Sequence, residues 1–258
     1  TSGRSMSWPA PSTGMSSRVW SDAVDDVDWH ELQALYDAAP LGRKNAADLK
    51  IAFGNSRHRC FVREQGRLVG VGRALADGVD CAEWLVSQGY SQPGRIATYG
   101  GSYGGFMSVA CIVEDQERVD AGKRKDRLFG ACVDVVGIVN MQTFLEKTSG
   151  YRRKLREVEY GPLTDPEFLR TVSSIHKADK MNVPFFIAHG FNDPRVPVEE
   201  AMQLAVALKD RKMSPRVFIA PDEGHGFQKL DNRIYFNERM MQFFDETIGA
   251  VGASGAGR

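Results

Sequence analysis

Short apolar runs alternate with amphipathic segments along most of the chain from about Asp80 onward. The apolar runs predict strands at residues 95–99, 129–136, 183–188 and 216–220. Segments that repeat apolar residues at helical spacing predict helices at residues 81–88, 103–113, 198–210 and 233–248. The first of these helices precedes the first strand, and each of the others follows a strand. Such alternation is typical of a parallel sheet with helices on both faces, so we expect an α/β fold.

The N-terminal part of the chain follows a different pattern. Helical spacing predicts two helices, at residues 28–38 and 46–53, and two strand-like runs at 59–63 and 68–75 then predict a β-hairpin. The polar and charged stretch 143–180 predicts peripheral helices.

The two ends differ in composition from the rest. Residues 1–17 are rich in Ser, Gly and Pro and lack an apolar core, which favours a disordered leader or tag remnant over a signal peptide. The small residues of 249–258 predict a flexible tail. We therefore divide the chain into a leader (1–17), an N-terminal segment (18–79), an α/β part (80–248) and a tail (249–258).

Charge and cysteine spacing narrow the possible partners. Lys plus Arg and Asp plus Glu both number 33, so no field of one sign exists to attract nucleic acid or an anionic membrane. The apolar runs are far shorter than the roughly 20 residues that span a bilayer. The four cysteines lie too far apart for a zinc knuckle or a dense disulfide framework, which favours free thiols in a cytoplasmic protein.

The strongest chemical signal is the pattern Gly100-x-Ser102-x-Gly104. It stands between a predicted strand and a predicted helix, where it predicts a nucleophile elbow with Ser102 as the nucleophile. Small residues on both sides of such a serine let the strand and the helix approach closely. The backbone N–H of Tyr103, at the start of the helix, is the expected oxyanion donor.

A serine nucleophile needs a base, and on this fold the chain order is serine, acid, histidine. Asp193 follows the strand predicted at 183–188, and His225 follows the strand predicted at 216–220. Because parallel strands end at one edge of their sheet, all three residues should meet there. We predict that His225 deprotonates Ser102, that Asp193 orients His225, and that water hydrolyses an acyl-enzyme formed from a small acyl ester or a peptide.

Other candidates fit these roles less well. His189 ends a predicted strand but precedes Asp193, so a supporting position is favoured over the role of base. Asp222 and Glu223 lie in the loop of His225 itself, which favours local hydrogen bonding over an acid role. No cluster of residues has metal-ligand spacing, and we predict neither a metal nor a cofactor.

Residues from about Asp80 to Ile248 resemble the catalytic domain of the prolyl oligopeptidase family, especially its acylaminoacyl-peptidase-like branch. The resemblance is carried, in order, by 100–105 (GGSYGG), 151–161 (YRRKLREVEYG), 189–197 (HGFNDPRVP) and 221–227 (PDEGHGF). It implies an α/β-hydrolase catalytic domain that hydrolyses peptides or esters through an acyl-enzyme.

Two features of that family are missing from the chain. No propeller blade repeat occurs, and no His-Gly-Gly-type oxyanion loop precedes Ser102. Since one lost oxyanion donor typically costs about 10²–10³ in kcat, we expect activity on esters rather than amides. Residues 19–79 instead resemble the first half of a GNAT acetyltransferase, without its acetyl-CoA loop. We hypothesise that its hairpin replaces the missing first strands, with the strand from Leu68 paired beside the strand from Arg95.

Two alternatives to a hydrolase remain at this stage. One is an N-acetyltransferase that uses acetyl-CoA, and the other is a weak or inert chimera of two partial folds. A truncated sheet would also expose strand edges that invite pairing between chains, so a homodimer is one expectation.

Overall fold

A computed structural model describes residues 18–21, 23–38, 45–55, 59–73 and 76–249. The chain forms two compact units that divide between Asp77 and Gly78. The predicted leader 1–17, and the tail beyond residue 249, lie outside the described residues.

The first unit combines a helix pair with an antiparallel sheet. Its helices are α1 (Trp29–Ala38) and α2 (Ala46–Asn55), and its strands are β1 (Arg18–Ser21), β2 (Arg59–Glu64) and β3 (Arg67–Arg73). The strand order is β1-β2-β3, with every pair antiparallel. The predicted helix pair and hairpin are therefore present.

The hypothesis that the hairpin replaces strands of the hydrolase sheet is wrong. The hairpin belongs to a separate three-stranded sheet in which β1 pairs with β2, and β4, the strand at 96–101, pairs with β5 instead. The physical reason is that the hairpin has its own apolar partners. Phe61 and Leu68 are buried against Leu32, Leu49 and Phe53 of the two helices, so the hairpin face is satisfied inside its own unit. The helix proposed as a crossover at 81–88 accordingly connects two sheets rather than two strands of one.

The second unit is built on a parallel sheet. Its strands are β4 (Ile96–Gly101), β5 (Phe129–Val135), β6 (Phe185–Gly190) and β7 (Arg216–Ala220), in the order β4-β5-β6-β7. All three neighbouring pairs are parallel. The four strands predicted from the apolar runs are thus confirmed, and their carboxyl ends lie at one edge.

Helices lie before, between and after the strands of this sheet along the chain. They are α3 (Ala76–Ser87), α4 (Tyr103–Asp120), α5 (Met141–Lys147), α6 (Gly150–Tyr160), α7 (Pro166–Val172), α8 (Val198–Asp210) and α9 (Leu230–Thr247), with a 3₁₀ segment at Ser174–Lys180. On one face, Val133, Val135 and Phe186 pack against Phe236 and Phe243 of α9. The alternate residues of β5 face α4 on the other side, as strand periodicity requires.

The stretch 143–180, predicted to be helical and peripheral, corresponds to α5, α6, α7 and the 3₁₀ segment. Within the described part of the chain, no helix is both long and apolar enough to cross a membrane.

A buried carboxylate fastens α4 to the start of β5. The side chain of Asp115 is 1% exposed and lies 2.5 Å from the guanidinium of Arg124. Its oxygens also accept hydrogen bonds from the backbone N–H groups of Leu128 at 3.0 Å and Phe129 at 3.1 Å. Asp115 therefore links α4, the helix that follows Ser102, to the neighbouring strand.

We predict that Asp115→Ala lowers the free energy of unfolding by about 3–5 kcal/mol, because it leaves two buried backbone donors without an acceptor and removes one ion-pair partner of Arg124. Urea unfolding measures the change, with the exposed Asp126→Ala as the control. Equal stability of the two variants would contradict the role given to Asp115.

Candidate active site

Ser102 occupies a strained turn between β4 and α4. Its backbone has φ 60° and ψ −118°, and its N–H donates a hydrogen bond to Val135 O at 2.8 Å. At the end of the next strand, Val136 also has a positive φ of 46°. Positive φ is uncommon for a residue with a side chain and is a genuine outlier for a β-branched one. Such strain concentrates at functional sites, and here both residues lie at the carboxyl edge of the sheet.

Gly100 explains how the turn can be so tight. A Cβ on Gly100 would lie 2.2 Å from Gly104 O and 2.8 Å from Ser108 Oγ, so no larger residue fits between β4 and α4. Gly104 behaves differently, because a Cβ there would meet nothing within 4 Å. The steric argument from the sequence therefore holds for Gly100 and does not hold for Gly104.

The first turn of α4 supplies the oxyanion candidate and an aromatic surface. The N–H of Tyr103, the first helical residue, is among those that have no acceptor within the helix. The Tyr103 ring stacks on Tyr160 at a centroid distance of 5.8 Å and lies 5.4 Å from Phe106. Helical periodicity alone did not indicate the contact with Tyr160, since it joins α4 to the distant α6.

Asp193 and His225 are brought together as the sequence predicts. His225 Nδ1 lies 2.7 Å from Asp193 Oδ2, and the aspartate side chain is completely buried. Asp193 Oδ1 accepts from the backbone N–H groups of Arg195 at 2.7 Å and Val196 at 3.0 Å. Both carboxylate oxygens are therefore directed by hydrogen bonds, and the His225 ring is only 16% exposed.

The loops that carry Asp193 and His225 are held against each other at their backbones. A Cβ on Gly190, the last residue of β6, would lie 2.1 Å from Gly224 O, so glycine is needed for the loops to pass this closely. Asn192 N–H donates to Glu223 O at 2.9 Å, and the Asn192 side-chain amide donates to Pro221 O at 2.7 Å. These bonds hold the residues that precede His225 in its loop, and they thereby fix the position of His225.

The electrostatics keep Asp193 ionised. Burial raises the pKa of Asp193, but the hydrogen bonds from His225, Val196 and Arg195 outweigh it, and the pKa lies below the ordinary value. An ionised carboxylate only accepts, so His225 Nδ1 carries the proton towards it. His225 Nε2 is then left as a proton acceptor, which is the tautomer that a general base requires.

Ser102 stands at the same sheet edge but farther from the other two. It follows β4 and His225 follows β7, and these are the outer strands of the order β4-β5-β6-β7. Three strand spacings of about 4.8 Å separate them, so the loops must cover roughly 14 Å. Among the described residues no hydrogen bond joins Ser102 Oγ to His225. Without substrate, such catalytic hydrogen bonds are often long and tighten in the complex.

The competing acids have other partners. Asp222 lies 2.5 Å from Lys229 Nζ and 3.0 Å from the Asn232 amide. Glu223 is 3% exposed and accepts from the backbone N–H groups of Gln228 at 3.1 Å and Lys229 at 2.8 Å. Both residues serve the local hydrogen bonding of the His225 loop.

Comparison with known proteins assigns the chain to a family. A profile of the prolyl oligopeptidase family matches residues 63–251, which is most of the chain. The chain belongs to the prolyl oligopeptidase family.

Individual curated relatives align with about two thirds of the chain. Dipeptidyl aminopeptidase BIII of Pseudoxanthomonas mexicana is 29% identical over 184 residues, covering 69% of this chain and 25% of that protein. The acylamino-acid-releasing enzyme of Arabidopsis thaliana is 25% identical over 175 residues, covering 63% of this chain and 22% of that protein. The chain thus spans about a quarter of the length of these curated relatives.

Solved structures extend the likeness to the fold. A puromycin-hydrolyzing peptidase of Mycobacterium tuberculosis superposes with a TM-score of 0.61 and 29% identity, over 68% of this chain and 25% of the other. The acylaminoacyl peptidase of Pyrococcus horikoshii superposes with a TM-score of 0.56 and 21% identity, over 69% and 28% of the two chains. The parallel sheet flanked by helices is therefore the α/β-hydrolase fold shared by this family.

A cleft lies beside the loop of Asp193 in this family member. It has a volume of about 500 Å³. Its lining includes the basic side chains of Lys147, Arg152 and Arg195, together with Phe191. Asp193 and Glu199 also line the cleft, so its charges are mixed.

A buried carboxyl group lies close to the Ser102 turn. Asp134 is completely buried on β5, and neither of its oxygens has a hydrogen-bond partner among the described residues. A Cβ on Gly105 of α4 would lie 2.3 Å from Asp134 Oδ1, so the carboxyl group lies directly beneath the first turn of α4. Burial, followed by the charge of Glu200, raises the pKa of Asp134 to about 7.

This pKa predicts how stability depends on pH. As pH rises from about 4 to 7, unfolded Asp134 ionises while the folded residue still holds its proton, so folded stability falls by a few kcal/mol at most, on the order of the shift. Asp134→Asn cannot ionise. We predict that its melting temperature, relative to wild type, is higher at pH 8 than at pH 5. Thermal unfolding at both pH values tests this, with Asp126→Asn as the control, and an unchanged difference would contradict it.

Proposed function

We propose that this chain is a serine hydrolase that forms an acyl-enzyme on Ser102 from small acyl esters or short peptides. The observation that carries the proposal is the buried Asp193–His225 pair, with its 2.7 Å hydrogen bond, at the sheet edge that also carries the strained Ser102 turn. Family membership supports the same chemistry, because the matched relatives are named as peptidases.

The steps follow from the groups at that edge. His225 Nε2 takes the proton of Ser102 as Oγ attacks the substrate carbonyl, and the developing imidazolium is stabilised by the ionised Asp193. The oxyanion receives a hydrogen bond from Tyr103 N–H, helped by the positive end of the 18-residue helix α4. His225 then protonates the leaving group, and water hydrolyses the ester of Ser102.

We propose esters as better substrates than amides. The sequence upstream of Ser102 offers no His-Gly-Gly-type loop as a second oxyanion donor. An ester has the better leaving group and so tolerates a weaker oxyanion site. The comparisons lend no support to an acetyltransferase or to an inert chimera.

The remaining proposals concern organisation. The helix pair and hairpin of residues 18–79 support a segment like part of a GNAT acetyltransferase, joined to an α/β-hydrolase part at 80–248. Cys81 and Cys132 are not in disulfides, which supports a cytoplasmic location. Substrates are expected to be small molecules or peptides.

Reaction with a fluorophosphonate probe tests the proposed nucleophile. We predict covalent labelling of the wild-type protein and no labelling of Ser102→Ala. Hydrolysis of an activated ester should fall by several orders of magnitude in Ser102→Ala, since the triad acts as a unit. Ser214→Ala, which alters an exposed serine in the loop before β7, serves as the control. Labelling that persists in Ser102→Ala would assign the nucleophile elsewhere.

We also propose a homodimer that pairs through sheet edges. Within the described residues, β4 and β7 each have a sheet partner on one side only, and such edges favour pairing with another chain. Sedimentation velocity should therefore give twice the mass of one chain, and a single species at 28.6 kDa would contradict the proposal.

A further inference from the structure

A second histidine lies behind the candidate catalytic acid. His189 is the second-last residue of β6, directly before Gly190, and its side chain is completely buried. Its Nε2 lies 3.0 Å from Val196 O. Its Nδ1 is buried without a hydrogen-bond partner among the described residues.

These contacts determine the proton position on His189. A carbonyl oxygen only accepts, so Nε2 must carry the hydrogen that it donates to Val196 O. Burial lowers the pKa of His189, which outweighs the opposing effects of Val196 and Asp193. The ring is therefore neutral at neutral pH, with Nδ1 bare.

Val196 connects His189 to Asp193. The carbonyl of Val196 accepts from His189, and the N–H of Val196 donates to Asp193 Oδ1 at 3.0 Å. His189 Nε2 also lies 3.6 Å from Asp193 Oδ2, which is too long for a hydrogen bond but close enough for the N–H dipole to attract the carboxylate. The His189 ring thus holds the loop that carries Asp193.

We propose that His189 is a positioning residue for Asp193, and that its Nε2–H bond to Val196 O maintains the geometry of the Asp193–His225 pair. The proposal rests on the hydrolase function proposed above. His189 does not act as a base, because its only ring nitrogen without a proton is buried and Asp193 separates it from His225. A misplacement of about 1 Å in such a constellation can cost about 10²-fold in rate.

The test compares side chains of equal length with and without the donor. In His189→Gln the amide nitrogen is as many bonds from Cβ as Nε2, so it can still donate to Val196 O, whereas His189→Met cannot donate. His189→Asn is polar but too short, and it replaces the Met variant if that one does not fold. His176→Met changes an exposed histidine and is the matched control.

We expect His189→Gln to keep most of the wild-type ester kcat. His189→Met, or His189→Asn, should lose about 10²-fold in kcat with little change in KM. The far-downfield proton resonance of the His225–Asp193 hydrogen bond should persist in the Gln variant and be lost in the donor-free variant. Circular dichroism and thermal unfolding establish that each compared variant is folded.

The outcomes separate the two proposals. If wild type is not labelled by fluorophosphonate, the hydrolase function fails, whatever the His189 variants do. If wild type is labelled and the folded donor-free variant matches it in kcat, the positioning role is overturned. A loss in His189→Gln as large as in His189→Met would also overturn it, because ring shape rather than the donated hydrogen bond would then matter.

Discussion

The hydrogen bond between Asp193 and His225 is the interaction on which the candidate site depends. It joins two loops from neighbouring parallel strands, and it forms in a place where the carboxylate is completely buried. A buried charge is costly unless it is paired and hydrogen-bonded. Here the cost is offset by three directed donors, and the backbone contact at Gly190 keeps the two loops close enough for the pair to form.

At the ends of β4 and β5 the constraint is backbone strain. Ser102 and Val136 hold positive φ angles at the ends of adjacent strands, and the first is linked to the second strand through Val135 O. Strained backbone persists only where the surroundings over-determine it. The tight fit at Gly100 and the anchoring of α4 through Asp115 provide such surroundings. Beneath α4, burial raises the pKa of Asp134, whose oxygens have no hydrogen-bond partner among the described residues.

The chain belongs to the family although it is much shorter than the curated relatives. The match covers the sheet edge where Ser102, Asp193 and His225 lie, yet the chain spans about a quarter of the curated relatives. The matched part of the chain places Ser102, Asp193 and His225 at the carboxyl edge of one sheet, after β4, β6 and β7. The first unit, which has its own sheet and its own apolar core, precedes the parallel sheet along the chain.

The amino-acid sequence by itself determined the strands of the parallel sheet, the Ser102 turn and the order of the three candidate residues. It could do so because apolar periodicity and glycine spacing are local properties, and because parallel strands must end at one edge. It led to a wrong pairing for the strand from Leu68, since a hairpin pattern does not say which sheet the hairpin joins. Burial of Phe61 and Leu68 against two helices decided that. The sequence favoured a supporting position for His189 but did not indicate its hydrogen bond to Val196 O. Only the tertiary structure paired Tyr103 with Tyr160 and placed Asp134 under α4. The physical reason is that these contacts join segments far apart in the chain, and local sequence patterns do not report such contacts.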